Sequence, residues 1–228
     1  MKRKIDLTKL FTDAFAVIWD MDGILVDSES YHFTAHTRAF AEFGLTLTED
    51  YYKKYGVSVD PQIFYAKAFA DAGKPFDDLQ FLKVHYRKME LYQKMQREQG
   101  IKLINPAATI VKRLYNNGVL MAIASQVDRE EVTRNLRGTS LLHYFPIIVS
   151  GGDFGLKKKP APDIYAKAVE MLNVTPAKCI AIEDSLVGVM SAIAAGIPCL
   201  AVPNHFTKHQ QFPPEAILTN FKEIASAI

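Results

Sequence analysis

Four acidic residues follow short apolar runs at two distant places in the chain. Asp20 and Asp22 follow one such run, and Glu183 and Asp184 follow another, Cys179–Ile182. If the two runs are neighbouring parallel strands, these acids meet beyond the carboxyl edge of the sheet, where open α/β sheets bind ligands. Clustered carboxylates repel one another unless a cation neutralises them. Oxygen ligands without clustered cysteine or histidine favour a hard ion, and we predict Mg²⁺.

Two further positions could hold an anion beside these acids. Ser125 ends another apolar run; it offers a hydroxyl group and, with Gln126, backbone amides near the start of the next helix. Lys159 precedes a predicted helix and brings a positive charge. Magnesium, a lysine and a hydroxyl around aspartates suit a phosphoryl group better than a neutral substrate. Asp20 can then attack phosphorus, and Asp22 can give a proton to the leaving oxygen and later take one from water.

The elements that must position these residues alternate between strand and helix. The apolar runs are rich in β-favouring residues and none alternates apolar with polar, so both faces of the strands should be covered. Segments between them carry the apolar stripe of amphipathic helices. This order predicts an α/β fold with a doubly wound, mostly parallel sheet. The predicted strands are 15–19, 119–124, 146–149, 179–182 and 198–202, and the predicted helices are 106–117, 162–172 and 186–195.

The stretch after the first strand breaks this alternation. Residues 30–99 contain no convincing strand, but several aromatic-rich helical patterns separated by turn signals. We therefore predict two domains. Residues 1–28 and 101–228 form an α/β core, and residues 29–100 form a small helical domain inserted after strand one.

Composition and charge limit the class of protein. The 228 residues are 49% apolar and 23% charged, which is ordinary globular usage and excludes disordered and fibrous classes. A net charge of +2 gives no sign of a nucleic-acid or membrane-surface partner. We predict a monomer that binds a small phosphorylated metabolite and neither nucleic acid nor membrane.

The expected location is the cytoplasm. Residues 1–4 are basic like the start of a signal peptide, but acidic residues interrupt any apolar segment behind them. No run approaches the ~18 apolar residues of a membrane span. The two cysteines, Cys179 and Cys199, lack zinc-type spacing and suit a reducing compartment.

Four motifs stand in order between about residue 14 and residue 203. They are Trp19-Asp20-Met-Asp22-Gly23-Ile-Leu-Val-Asp27-Ser28, Ile123-Ala124-Ser125, Lys159-Pro160-Ala-Pro-Asp163, and Ile182-Glu183-Asp184-Ser185 with Gly188. Together they resemble the motifs of the haloacid dehalogenase superfamily of phosphatases and phosphomutases, and the helical insertion resembles the cap of that family.

The resemblance implies a role for each acidic residue. Asp20 would be the nucleophile that forms an aspartyl-phosphate, and Asp22 would be the general acid and base. Mg²⁺ would be held by the Asp20 carboxylate, the backbone carbonyl of Asp22 and Asp184, with Glu183 close by.

The resemblance also places Ser125 and Lys159 on the phosphoryl oxygens. The segment Asp27–His32 is similar to the β-phosphoglucomutase-like branch, in which a tyrosine–histidine pair opens the cap. His32 is therefore a candidate for substrate contact, and His36 is interpreted as structural.

Phosphatase and mutase share this chemistry and differ in whether water or a sugar hydroxyl attacks the aspartyl-phosphate. A β-phosphoglucomutase would be expected to carry a cap arginine shortly after a Gly-x-Ser and a Ser-Lys after the second motif. Here no arginine follows Gly56-Val57-Ser58, and Val127-Asp128 stands in the second place. Both departures favour a phosphatase, with the mutase as the alternative. A dehalogenase would leave Asp22 without a task, and a non-catalytic binding protein would be expected to have lost Asp20 or Asp22.

Some of these features also have plain structural interpretations. Asp22-Gly23 between apolar runs is a hairpin turn signal, and this interpretation is compatible with catalysis. Lys157 and Lys158 are expected in an exposed loop. The basic residues on the last predicted helix of the insertion, among them Lys88, are expected to form a solvated face, with substrate attraction as the alternative.

Overall fold

The computed structural model describes residues 5–228, so the basic start, residues 1–4, lies outside the described part of the chain. The described residues form two compact units. One contains the chain up to Asp27 together with Lys102–Ile228, and the other contains Ser28–Ile101. The division into domains with limits at 28 and 101 stays a prediction.

The first unit is built on a six-stranded sheet in which every neighbouring pair is parallel. Its strands are β1 (Ala16–Trp19), β2 (Leu120–Ala124), β3 (Ile147–Val149), β4 (Cys179–Glu183), β5 (Cys199–Ala201) and β6 (Ile217–Leu218). The order is β3-β2-β1-β4-β5-β6, which places β1 between β2 and β4. In register, Trp19 pairs with Ile123 on one side and Ile182 on the other. The segments that follow these three strands therefore leave the sheet side by side.

Helices cover both sides of this sheet, so the predicted doubly wound α/β fold is confirmed. Every residue of β1 and β4 is buried, because a parallel sheet covered on both faces has no solvated side. Among the described residues of the whole chain the α-helices are α1 (Leu7–Asp13), α2 (Glu29–Glu42), α3 (Glu49–Tyr55), α4 (Pro61–Asp71), α5 (Asp78–Gln99), α6 (Asn105–Asn116), α7 (Arg129–Arg137), α8 (Asp163–Leu172), α9 (Leu186–Ala194) and α10 (Phe221–Ala227).

On one side of the sheet, α8 and α9 pack against every second residue of the strands. Ala16 and Ile18 of β1 pack there with Tyr165 of α8 and Val189 of α9, all of them fully buried. The three predicted helices of this unit correspond to α6, α8 and α9. The helices α1, α7 and α10 and the two-residue strand β6 are additional elements that the apolar pattern did not predict.

The second unit contains α2–α5 and, as expected, no strand among its described residues. Helix α2 packs along α5, and rings of α2 also contact Tyr52 of α3 and Phe64 of α4. The expectation that Lys88 lies on a solvated face of α5 is wrong, because Lys88 is only 6% exposed. Its ammonium group donates to the His32 ring, which supplies the partner that a buried charge requires. Within residues 5–228, none of the helices has both the length and the hydropathy of a membrane-spanning segment.

Candidate active site

The predicted acidic residues lie at the carboxyl edge of the sheet. Asp20 follows β1, and its backbone N–H donates to the carbonyl of Ile182 across 3.0 Å, which continues the β1–β4 ladder past the strand end. Glu183 is the last residue of β4, and Asp184 follows it. All three carboxylates belong to buried residues. The structure thus brings together two acidic segments that are about 160 positions apart in the sequence.

Lys159 links two of these acids, Asp20 and Glu183. Its Nζ donates to Asp20 Oδ1 across 2.6 Å, to Glu183 Oε1 across 2.5 Å and to the carbonyl oxygen of Ala124 across 2.9 Å. An ammonium group has three donors, and all three have an acceptor here. Its side chain is 2% exposed, whereas the neighbouring Lys157 and Lys158 are exposed as expected.

The electrostatics of this group follow from burial and from the surplus of acids. Burial raises the pKa of Asp20 to about 7, the negative charge of Glu183 adds to the rise, and Lys159 partly opposes it. Burial alone would lower the pKa of Lys159, but the charges of Asp20 and Glu183 outweigh it and raise that pKa above its usual value. Lys159 therefore stays protonated at neutral pH.

The acidic group fits a divalent cation. One carboxylate oxygen from each of Asp20, Glu183 and Asp184 lies within 4.8 Å of the others. A single lysine cannot neutralise three buried carboxylates. An all-oxygen donor set suits Mg²⁺. Asp22 is outside this group of side chains; the metal contact expected of it involves its backbone carbonyl and stays a prediction.

Asp22 lies in a tight turn directly after β1. The N–H of Gly23 donates to the carbonyl of Val26 across 2.8 Å, and Gly23 adopts φ +80°, a conformation that glycine reaches without strain. The turn is marked by isolated bridges and not by a regular two-stranded hairpin among the described residues. The turn interpretation of Asp22-Gly23 is thus compatible with a position at the site, and the acid–base role of Asp22 stays a prediction.

Ser125 and Gln126 lie at the end of β2, beside the lysine. Ser125 is fully buried, and its Oγ accepts from the N–H of Val127 across 3.3 Å. Lys159 contacts the carbonyl of Ala124, the residue before Ser125. The chain at Gly151 passes so close that a Cβ there would lie 2.2 Å from the Gln126 carbonyl oxygen. Contacts of Ser125 and Gln126 with a phosphoryl group stay predictions.

His32 lies in the helical unit. Its Nδ1 is 2.7 Å from the ammonium group of Lys88, and its ring stacks on Tyr92 with centroids 4.2 Å apart. Burial, aided by the positive charge of Lys88, lowers the pKa of His32 well below its usual value. Because a lysine ammonium can only donate, Nδ1 is the acceptor and the proton of the neutral ring is on Nε2. The predicted contact of His32 with substrate stays a prediction.

Two residues that were not predicted from the sequence also contact the acids. The hydroxyl of Tyr165 donates to Glu183 Oε1 across 2.8 Å. The side-chain amide of Asn204 donates to Asp184 Oδ2 across 2.6 Å. Tyr165 belongs to the apolar stripe of its helix, so the pattern indicates only a core role. Asn204 stands at the carboxyl end of the fifth strand, a position that could have marked it.

Comparisons with known proteins agree with this arrangement. A model of the family described as haloacid dehalogenase-like hydrolase matches residues 17–202. A protein of Thermotoga maritima named phosphorylated carbohydrates phosphatase is 34% identical over 80% of this chain and 82% of its own length. The Arabidopsis thaliana protein SUPPRESSOR OF QUENCHING 1 is 35% identical over 82% of this chain, which spans only 18% of that relative. The crystal structure of CbbY from Rhodobacter sphaeroides in complex with phosphate has a TM-score of 0.77 at 28% identity, with 92% of this chain and 96% of that chain covered.

Proposed function

We propose that the chain, which belongs to the haloacid dehalogenase-like hydrolase family and is a phosphoric monoester hydrolase, hydrolyses a small phosphorylated carbohydrate. The reaction passes through an aspartyl-phosphate on Asp20, and the cofactor is Mg²⁺. The observation that carries this proposal is the placement of Lys159, which is hydrogen-bonded to both Asp20 and Glu183 within a buried group of three acids. A carboxylate held beside a fixed positive charge is suited to attack a phosphoryl group, whose own charge the lysine partly neutralises.

The chain's own residues divide the reaction between them. The Asp20 carboxylate attacks phosphorus, and the bond from phosphorus to the leaving oxygen breaks while Asp22 gives that oxygen a proton. A water molecule then attacks phosphorus, Asp22 takes its proton, and the Asp20 carboxylate is released with inorganic phosphate. Ser125 and Lys159 hold the phosphoryl oxygens during both steps, and Lys159 does so by exchanging one of its three protein acceptors for a phosphoryl oxygen.

The cofactor would be held by Asp20, Asp184 and the backbone carbonyl of Asp22, with Glu183 nearby. Bound there, Mg²⁺ would neutralise charge on the transferring phosphoryl group. The surplus negative charge of the buried acids supports this assignment.

The substrate class is supported by the similarity to the Thermotoga phosphatase of phosphorylated carbohydrates. Two departures from the pattern expected of a β-phosphoglucomutase argue against the mutase alternative. No arginine follows Gly56-Val57-Ser58, and Val127-Asp128 stands after the second motif in place of Ser-Lys. A cap arginine at that position would have been expected to bind the distal phosphate of a mutase substrate. The cytoplasmic location, the monomeric state and the absence of nucleic-acid and membrane partners stay predictions.

The test is release of inorganic phosphate from a panel of sugar phosphates, nucleoside monophosphates and phosphoglycolate, with p-nitrophenyl phosphate as a generic substrate. We expect sugar phosphates to give the highest kcat/KM, EDTA to stop the reaction and added MgCl₂ to restore it. Preference for a nucleotide would overturn the substrate class, and indifference to EDTA would overturn the cofactor. Activation by a sugar bisphosphate, with conversion of a sugar 1-phosphate to its 6-phosphate, would support the mutase instead.

A further inference from the structure

We propose that Asn204 is a positioning residue that fixes the carboxylate of Asp184 for the divalent cation. This inference rests on the proposed function, because it takes Asp184 to be a metal ligand. Asn204 Nδ2 donates to Asp184 Oδ2 across 2.6 Å, and Asn204 follows β5 at the same edge of the sheet as the acids.

The orientation of the Asn204 amide is determined by its other end. Oδ1 accepts from the backbone N–H of Phe206 across 2.8 Å, so the oxygen is directed away from the acid. The backbone N–H of Asn204 donates to Oγ1 of Thr207 across 3.0 Å, which holds the turn after β5. With its oxygen engaged in the turn, the amide presents its NH₂ group to Asp184. A flipped amide would place two oxygen atoms against each other and leave the Phe206 N–H without this acceptor.

The same amide approaches a second segment of the site. Nδ2 lies 3.4 Å from the carbonyl oxygen of Gly23, in the turn that also carries Asp22. A Cβ on Gly23 would lie 2.5 Å from Asp184 Oδ2 and 2.6 Å from Asn204 Nδ2, so only glycine leaves room for this contact. Asn204 therefore joins three segments: the turn after β1, the end of β4 and the turn after β5.

This contact has a direct consequence for a cation. A ligating carboxylate that is already oriented loses less freedom when the cation binds, and hydrogen-bond partners of ligating groups contribute about 10–100-fold to metal affinity. Removing the amide donor should therefore weaken Mg²⁺ binding while the sheet and its buried core remain intact.

The test uses the full chain treated with EDTA and dialysed. The variants are Asn204→Ser and Asn204→Ala. Serine retains a side-chain oxygen that can accept from the Phe206 N–H in an equivalent turn, but it cannot reach Asp184. This variant therefore removes the donor to Asp184 while it keeps the acceptor that the turn requires. Asn220→Ala is the matched control, because Asn220 also accepts a backbone N–H, that of Glu223, but at the start of α10.

Two readouts are titrated with MgCl₂: the rise in Tm without substrate and the rate of p-nitrophenyl phosphate hydrolysis. We expect both Asn204 variants to need about tenfold more MgCl₂ for half of each effect, with kcat recovering at saturating MgCl₂, and Asn220→Ala to titrate like the wild type. If Asn204→Ser reaches half of each effect at an MgCl₂ concentration within about twofold of that of the wild type, the inference is overturned, although the proposed cofactor stands. A wild-type chain indifferent to MgCl₂ in both readouts would overturn the proposed cofactor itself, and the inference with it.

Discussion

A Cβ atom added to Gly188 would lie 2.1 Å from the carboxylate carbon and both oxygens of Glu183. Gly188 is in the first turn of α9, where its N–H donates to the capping Ser185 Oγ across 3.2 Å. Its lack of a side chain leaves the space that the Glu183 carboxylate occupies. Because Glu183 also binds Lys159, the position of the lysine beside Asp20 depends indirectly on this glycine.

Gly188→Ala should therefore damage both stability and activity. The added methyl group forces Glu183 or α9 to move, and overpacking of this kind costs about 1–3 kcal/mol. Equilibrium urea unfolding and kcat with p-nitrophenyl phosphate measure the two effects. The matched control is Gly138→Ala, where nothing lies within 4 Å and the backbone is right-handed helical, so we expect a change below about 1 kcal/mol. A Gly188→Ala variant as stable and active as Gly138→Ala would show that Glu183 is not held as described.

Lys159→Met should be strongly destabilising as well as inactive. It leaves the buried carboxylates of Asp20 and Glu183 without their shared cation, and breaking a buried ion pair costs about 3–5 kcal/mol. The comparison is Lys167→Met, which removes a surface pair with Glu170 and should cost less than about 1 kcal/mol. Urea unfolding in the presence of EDTA measures both changes. Equal stability losses for the two variants would contradict the buried ion-pair geometry.

Tyr165→Phe removes one donor to Glu183 without changing the shape of the core. A hydrogen bond to a charged group contributes about 1.5–3 kcal/mol, so the unfolding free energy should fall by roughly that amount. Tyr144→Phe is a suitable control, because the Tyr144 hydroxyl has no hydrogen-bond partner among residues 5–228. If the two tyrosine variants unfold at the same urea concentration, the Tyr165 bond carries no net stability.

In the metal-free protein, the contribution of Asp20 to stability should decline as the pH rises towards neutrality. Its pKa of about 7 in the folded chain lies above the ordinary value of 3.8, so the folded state binds more protons than the unfolded state between these values. The contribution of Asp20 is then most favourable below about pH 4 and declines up to about pH 7. Asp20→Asn removes this dependence. The stability of the variant relative to wild type, followed by urea unfolding in EDTA, should rise across that interval; a difference constant with pH would contradict the raised pKa.

Much of the core architecture could be predicted from the sequence, because buried parallel strands are continuous apolar runs and their helices carry regular apolar stripes. Helix α7 was missed because it contains only two apolar residues, Val132 and Leu136, too few for a convincing pattern. Strand β6 is two residues long at the sheet edge, which is below the length that periodicity can indicate.

The site was predictable where position after a strand marks a residue, as for Asp20 and the pair Glu183-Asp184. It was not predictable where a contact depends on packing between distant segments. Lys88 has the sequence pattern of a solvated lysine but is buried against His32, and Tyr165 combines a core ring with a hydroxyl that binds an acid. Local sequence patterns contain no information about such partners, which only the tertiary structure supplies.

The most direct test of the central claim is chemical trapping of the acyl phosphate. The enzyme is mixed with substrate and MgCl₂, quenched and reduced with borohydride, which converts an aspartyl-phosphate to homoserine, and the peptide containing residues 16–27 is sequenced by mass spectrometry. We predict homoserine at position 20, only when substrate is present, and none in Asp20→Asn. Homoserine at another aspartate, or none at position 20 under conditions of active turnover, would contradict the assignment of Asp20 as the nucleophile.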